Sequence, residues 1–220
     1  MDDVLNLFPL NTVLLPGAML QLHVFEDRYK EMMAQCIDGE LPFGVLLDRS
    51  GLTANDLDPV AVGTVAVIRK VTRLSAGRLF VIAQGTRRFR IERVIGTMPF
   101  WRAEISFLEE VDGPQAKAGR LRAAATLRLR DYLAALLAPR GEEIESIELP
   151  SDAAASSYLI ADALQVASPV KQELLEAGSA VERLRAELAL LDAEIERLRS
   201  EQPAEGPEHR PTFPARFSLN

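Results

Sequence analysis

Cysteine and histidine are nearly missing from this sequence. Its 220 residues include one cysteine, Cys36, and two histidines, His23 and His209. A single cysteine cannot form a disulfide within the chain, and the set is too small for a zinc site built from cysteine and histidine. Structural zinc and redox chemistry by a cysteine pair are therefore excluded, and we expect no cofactor and no metal.

Long apolar runs are missing as well. The longest covers residues 133–138, whereas a membrane span needs about 18 apolar residues. The chain begins with two aspartates at positions 2 and 3 instead of the basic region that opens a signal peptide. With 48% hydrophobic and 26% charged residues, the composition is typical of globular proteins. We expect a cytoplasmic protein with no membrane partner.

Common catalytic motifs are also missing. The sequence contains no Walker A loop, no G-x-G-x-x-G and no H-E-x-x-H. One pattern, S-x-x-K at residues 168–171, matches the motif in which a lysine activates a serine nucleophile. The same residues also suit the start of a helix, with Ser168 as the N-cap and Pro169 as the first helical residue. His23 lies between apolar neighbours, and Cys36 falls on an apolar helix face, so both are interpreted as structural. We expect no enzyme activity.

Residues 1–112 carry the pattern of short strands around one helix. An apolar face at helical spacing predicts a helix from residue 26 to a stop near Gly39. Gly85 and Thr86 are expected to separate two strands. These features predict an α+β protein whose first lobe is a mostly antiparallel, partly closed sheet. The strand-like runs are 7–10, 13–15, 43–47, 60–74, 79–84, 88–95 and 101–108.

Residues 113–200 are rich in Ala, Leu, Arg and Glu, which predicts a helical bundle. Helices are expected at about 115–138, 151–166 and from 168 onward. The last one, with an apolar seam from Val181 to Leu198, either packs within the molecule or, near Ile195 and Leu198, contacts a second copy in a homodimer. Residues 201–220 are polar and proline-rich, which predicts a mobile tail.

A basic segment stands out against the net charge of −7. Between Arg69 and Arg102 there are nine basic residues and one acid. Arg87, Arg88 and Arg90 are the candidates for gripping RNA or an acidic partner, while Phe89 is assigned to the core. The alternative is the ordinary solvent face of a half-buried sheet. The net negative charge argues against nucleic acid as a partner.

The order of several motifs resembles the N-terminal, substrate-binding LON domain of ATP-dependent Lon proteases, and also the LON region of cereblon. The resemblance covers about residues 5–199 and implies a PUA-like β lobe followed by a helical bundle. The motifs that carry the resemblance look architectural, and none of them supplies a nucleophile. These motifs include LFPL at 7–10, VLLPG at 13–17, LQLHVFEDRY at 20–29, Gly85 followed by RFRI at 88–91, and KQELLE at 171–176.

The resemblance implies a non-catalytic module that binds polypeptide, including unfolded or damaged segments, through an exposed apolar or mixed surface of the β lobe. Since the sequence stops at Asn220, we expect a free-standing LON-domain protein without the ATPase and Ser-Lys peptidase domains of Lon. The candidate contact residues flank the early turn and helix. RNA binding through the basic segment is the main alternative, and a small-molecule pocket between the two lobes is a weaker one. The candidate contacts are Met19, Gln21, Glu26 and Lys30.

Overall fold

The computed structural model describes residues 3–49, 60–140 and 146–201, and these form an α+β fold, as the sequence predicts. The strands are β1 (Asp3–Leu10), β2 (Met19–Val24), β3 (Phe43–Leu47), β4 (Val62–Arg73), β5 (Leu79–Gly96) and β6 (Trp101–Phe107). The helices are α1 (Asp27–Asp38), α2 (Gln115–Leu137), α3 (Ala153–Ala163), α4 (Ser168–Glu176) and α5 (Ala180–Glu201). We call residues 3–107 the β lobe and residues 115–201 the helical lobe.

The sheet of the β lobe closes on itself. Its order is β2-β5-β4-β3-β1-β6, and β5 additionally pairs with β6. The long β5 strand can serve three neighbours because it pairs with β2 through residues 79–84 and with β6 through residues 89–96. The ring β5-β4-β3-β1-β6 is therefore a barrel, and β2 lies outside it. Only the β1–β3 pair is parallel among the described strands, which agrees with the predicted antiparallel, partly closed sheet.

The expected break at Gly85 and Thr86 is wrong, because β5 runs through both residues without interruption. Gly85 has a different role. Its N–H donates to the carbonyl of Ala18 at 2.9 Å, and a Cβ at this position would collide with the carbonyl oxygen of Leu15. The glycine lets the chain before β2 approach the sheet closely.

The strand expected at residues 13–15 is also wrong. These residues are buried but lie outside any strand, and the Thr64 hydroxyl donates to the carbonyl of Leu14 at 2.6 Å. The strand in this part of the chain comes later, at Met19–Val24. The sequence analysis assigned no strand there.

Helix α1 packs its apolar face against the sheet. Tyr29, Met32, Met33 and Cys36 are all buried, and the helix ends at Gly39, whose N–H donates to the carbonyl of Gln35 at 3.1 Å. Phe89 lies in the barrel core, as predicted, in the small cluster that also contains Leu5, Leu7, Leu46, Val65, Ala103 and Ile105.

In the helical lobe, α5 packs along α2 and α3. Val181, Leu184, Leu191 and Ile195 of the predicted seam are buried within the molecule, so this face is used by intramolecular packing. The main apolar core is continuous from α1 and the sheet into this lobe. The segment predicted to be a mobile tail lies, from residue 202 onward, outside the described residues.

Candidate functional site

Strand β2 and the start of α1 form an exposed corner of the β lobe, which we call the β2–α1 corner (residues 19–30). A turn at Pro16 and Gly17 directs the chain into β2, and Gly17 adopts a positive φ of 87° that favours glycine. The N–H of Gly17 donates to the carbonyl of Gly85 at 2.9 Å. This bond fixes the beginning of β2 against β5.

The side chains of β2 alternate between core and solvent. Leu22 and Val24 are buried, while Gln21 and His23 are exposed and Met19 keeps 54% of its surface accessible. The exposed residues lie beside partly buried positions of β5, and the ring of His23 lies 4.9 Å from that of Phe80. The outer surface of β2 is therefore mixed, with apolar and polar groups side by side.

A groove of about 550 Å³ runs between the β2–α1 corner and the end of β1. Aromatic rings line its α1 side, where Phe8 and Tyr29 stack with ring centroids 4.2 Å apart. The guanidinium of Arg28 lies over the Tyr29 ring at 4.5 Å. Phe25, which is 64% exposed, stands at the rim. Its aromatic surface is available to a partner.

The charges of the corner are paired with one another. Arg28 forms an ion pair of 2.7 Å with Glu26, and Lys30 forms one of 2.6 Å with Asp27. The hydrogen bond from Lys30 lowers the pKa of the Asp27 carboxyl, and burial raises the pKa of the Tyr29 hydroxyl. Such a surface favours apolar and backbone contacts over recognition of a single charge.

All four candidate contacts from the sequence fall within this corner, and the structure brings two of them, Gln21 and Glu26, to one groove. Met19 is exposed on β2, Gln21 and Glu26 line the groove, and Lys30 is half-buried beside Asp27. Phe25, which the structure places at the rim of the groove, was not among the candidates. The sequence did contain a signal for this position. Phe25 lies between the apolar residues that alternate along β2 and the start of the amphipathic helix α1.

The basic segment looks different in the structure from its sequence. Arg88 was expected on the solvent face, but it is only 2% exposed. The guanidinium of Arg87 lies over the Phe107 ring at 3.2 Å, and Arg90 is exposed. Since Arg88 is buried, it cannot contact a phosphate backbone, and the three arginines do not form one surface.

Comparison with known proteins assigns the chain to a family. Residues 4–193 match the model of the ATP-dependent protease La (LON) substrate-binding domain. The chain belongs to this LON substrate-binding domain family. The resemblance drawn from its motifs is thus confirmed.

Curated relatives of this LON chain are longer proteins. It is 32% identical over 211 residues to the Lon protease of Paraburkholderia phytofirmans, covering 91% of this chain and 26% of the relative. It is 27% identical over 207 residues to the Lon protease of Cytophaga hutchinsonii, covering 89% and 25%. The chain therefore spans about a quarter of the length of these curated relatives.

Solved structures show the same LON fold. The Lon N-terminal domain protein from Xanthomonas campestris matches with a TM-score of 0.63 and 30% identity, covering 85% of this chain and 98% of that one. The N-terminal domain of the Mycobacterium avium complex Lon protease matches with a TM-score of 0.64 and 17% identity, covering 86% and 98%. At that lower identity the likeness shows the fold alone.

The S-x-x-K residues of the LON chain serve as structural contacts. The Ser168 hydroxyl donates to the carbonyl of Asn11 at 3.0 Å, and the Lys171 ammonium donates to the carbonyl of Asp162 at 3.0 Å. The N-cap of α4 is Ala167, so the expected capping by Ser168 is wrong. Ser168 instead ties the start of α4 to the β lobe.

The 3–49, 60–140 and 146–201 ranges contain no group of three or more His, Cys, Asp or Glu side chains that could hold a metal ion. Among the same residues, no helix has the length and apolar character to cross a membrane. Cys36 is buried, which raises the pKa of its thiol.

A polar network, in which Arg88 and Arg183 are buried and Glu110 is partly exposed, joins the two lobes of the LON fold. Arg88 of β5 donates to Glu110 at 2.7 Å and to the carbonyls of Leu175 and Ala177 at 2.8 Å each. On the helical side, the Tyr158 hydroxyl donates to Glu110 at 2.7 Å and accepts from Arg183 at 2.9 Å. Desolvation raises the pKa of Tyr158.

A second cleft, of about 530 Å³, opens between the lobes beside this network. Its walls are largely apolar and include Pro16, Pro150 and Leu159, while Glu110 and Tyr158 line it as polar groups. The carboxylate of Glu110 is already neutralised by Arg88 and the more distant Arg183 (3.6 Å). The cleft lies where the sequence analysis considered a small-molecule pocket.

Proposed function

We propose that this LON domain is a substrate-recognition module that binds unfolded polypeptide at the β2–α1 corner. The observation that carries the proposal is the exposed side chain of Phe25 at the rim of an aromatic-lined groove, with Met19 also exposed at the start of β2. Folded proteins bury most of their large apolar side chains, whereas unfolded chains expose them. A surface of this kind therefore selects unfolded segments.

The relatives support this assignment of partner. The matching family model describes a substrate-binding domain, and the curated relatives are Lon proteases. A protease substrate is a polypeptide, so the chemistry of the partner follows from the family. We assign binding, and not bond cleavage, to the described residues because Ser168 and Lys171 are held by backbone carbonyls in separate contacts.

Binding at this corner is expected to be weak and reversible. The groove and its rim cover few residues, and interfaces at the small end of the size range, below about 1,200 Å², are typical of transient complexes. Attachment of several such domains to one substrate would raise the overall affinity. Weak binding suits a module that must accept many substrates and release them.

RNA binding is the weaker hypothesis because the basic segment is divided in the structure. Arg88 is committed to the interlobe network, and Arg93 pairs with Glu104 at 2.6 Å. A protein that grips phosphates with several free cations loses affinity steeply as salt increases. Binding of polypeptide through apolar contacts is expected to change little with salt.

The test is a titration with one polypeptide in two states. Reduced, carboxymethylated α-lactalbumin and its native, disulfide-bonded form are each labelled and titrated with the protein, with fluorescence anisotropy as the readout. We expect saturable binding of the unfolded form and none of the native form, with little dependence on salt between 50 and 300 mM, roughly the range over which phosphate contacts weaken strongly. Equal binding of both forms, or of neither, contradicts the proposal.

A further inference from the structure

Among the strands of the described residues, β2 has a neighbour on one side only. In the sheet order it stands at the end, paired with β5 through residues 79–84. An edge strand leaves a row of backbone N–H and C=O groups without partners. Which groups are free follows from the pairing.

The N–H of Gly85 donates to the carbonyl of Ala18, so the next pair, Met19 and Gln84, is of the non-hydrogen-bonded type. Because the two types alternate along an antiparallel ladder, Gln21 and His23 are of the same type as Met19. Their backbone N–H and C=O groups point away from β5. No hydrogen bond from the part of the chain that the structure describes reaches these outward groups.

Within the described part of the chain, β2 itself has none of the sequence features that usually protect an edge strand. Natural edge strands are blunted by lysine, proline, an inward charge or a bulge. The six residues of β2 (MLQLHV) include no lysine and no proline. Its pairing with β5 is one-to-one throughout, without a register shift. An unprotected edge of this kind is a template for another strand.

The groove lies along this free edge. It is lined by residues 21–24 of β2 and, across from them, by Pro9, Leu10 and Asn11 at the end of β1, and by no residue of β5. It therefore opens on the side of β2 to which the unpaired groups point. From position 19 to position 23 the edge extends about 13 Å at the usual rise of a strand.

We propose that an extended segment of the substrate polypeptide pairs with the outer edge of β2 as an added strand. This inference rests on the proposed function and specifies how the β2–α1 corner recognises its substrate. Main-chain hydrogen bonds provide the affinity, and they are available from any sequence in an extended conformation. Segments held in native secondary structure have no free backbone groups to offer, so strand addition discriminates against folded proteins.

A proline variant tests the inference directly. Gln21→Pro removes one outward N–H, and because this N–H does not bond β5, proline is compatible with the edge position. Gln21→Val is the matched control, since it replaces the side chain and keeps the N–H. With carboxymethylated α-lactalbumin as the probe, we expect Gln21→Pro to bind at least tenfold more weakly than Gln21→Val, because the two variants both lack the glutamine side chain and only the first lacks the N–H.

Hydrogen exchange of the wild-type protein provides a measurement that does not depend on a variant. By NMR, the amides of residues 20, 22 and 24 are expected to be protected with or without the probe. The amides of residues 19, 21 and 23 are expected to exchange rapidly in the free protein and at least tenfold more slowly in the complex. This alternation is specific to strand addition and is not produced by side-chain contacts.

The outcomes separate the two proposals. If the wild type binds the probe but Gln21→Pro binds equally well and no alternation is observed, strand addition is wrong and the proposed function stands. If the wild type does not bind the unfolded probe, the proposed function fails and this inference fails with it. If light scattering shows a dimer that Gln21→Pro dissociates, the edge serves a second copy, which also overturns the inference.

Discussion

Arg88 on β5 and Glu110, which follows β6, form an ion pair of 2.7 Å in which the arginine is almost completely buried. The same guanidinium donates to the carbonyls of Leu175 and Ala177 at the end of α4. One side chain of the β lobe thus donates hydrogen bonds both to a carboxylate and to the backbone carbonyls at the end of a helix in the other lobe. We conclude that the lobes are packed as one unit around this contact.

The first prediction concerns this arginine. Arg88→Met keeps most of the aliphatic volume but removes the donor to three backbone carbonyls, while Glu110 keeps its hydrogen bond from Tyr158. Leaving a buried acceptor without its donor costs about 1–3 kcal/mol, whereas Glu110 is 34% exposed and can be solvated, so we expect the free energy of unfolding to fall by about 2 kcal/mol or more. Arg90→Met, at an exposed position two residues away, is expected to change it by less than about 0.5 kcal/mol. Urea denaturation followed by circular dichroism measures both, and equal effects would contradict the assignment.

The second prediction concerns Glu187 of α5, which is fully buried, with no hydrogen-bond partner for either carboxyl oxygen among the described residues. Desolvation raises its pKa from 4.5 to about 9, although Arg183 opposes the shift. The folded protein therefore holds a proton that the unfolded chain releases above pH 4.5. By linkage, this group lowers stability progressively as the pH rises from about 4.5 towards about 9.

Glu187→Gln removes this titration. We expect the variant to be more stable than the wild type at pH 8, by about 1 kcal/mol or more, and the difference to shrink as the pH approaches 5. Glu196→Gln on the exposed side of the same helix is the control and is expected to show no such trend. Unfolding free energies measured across this pH range test the assignment. A constant difference between Glu187→Gln and the wild type would show that Glu187 is ionised in the fold.

The third prediction concerns Phe25 at the rim of the groove. Phe25→Ser removes an exposed aromatic side chain, so we expect at least a fivefold loss of affinity for the unfolded probe, which corresponds to about 1 kcal/mol, and little change in stability. Met98→Ser is the control. Met98 is 81% exposed and follows the last residue of β5, whereas β2 pairs with the first residues of that strand. Anisotropy titrations measure both variants. An equal loss of affinity in the two variants would indicate that any exposed apolar side chain contributes to binding of the probe, which would contradict a specific role of the β2–α1 corner.

The fourth prediction concerns the single cysteine. Cys36 is 1% exposed, and burial raises the pKa of its thiol. Since the thiolate is the reactive species, we expect labelling of the native protein by a disulfide reagent to be more than about tenfold slower than labelling in urea. Absorbance of the released thiol follows the reaction. Rapid labelling of the native protein would mean that α1 opens away from the sheet.

The sequence was sufficient where local patterns carry the information. The apolar face of α1 and the seam of α5 repeat at helical spacing, and both faces are buried as that spacing predicts. The family motifs predicted the pairing of a β lobe with a helical bundle. The candidate contacts were drawn from the same stretch, and two of them, Gln21 and Glu26, line the groove; that they contact a substrate stays a prediction.

The errors arose where a residue's environment depends on distant parts of the chain. Gly85 reads as a strand break, but the strand continues because the glycine accommodates the carbonyl of Leu15. Arg88 reads as solvent-exposed, but its acceptors lie 87 and 89 residues later, at Leu175 and Ala177. Strand β2 was missed although Leu20, Leu22 and Val24 alternate, and its free edge became visible only with the strand order.

The central claim is that the β2–α1 corner binds unfolded polypeptide. The most direct measurement is the mapping of amide chemical shifts of the isotope-labelled protein during titration with carboxymethylated α-lactalbumin. We expect the largest changes on residues 19–30 and on the end of β1, and none in the helical lobe. Changes confined to the cleft between the lobes, or to the arginines of β5, would contradict the claim.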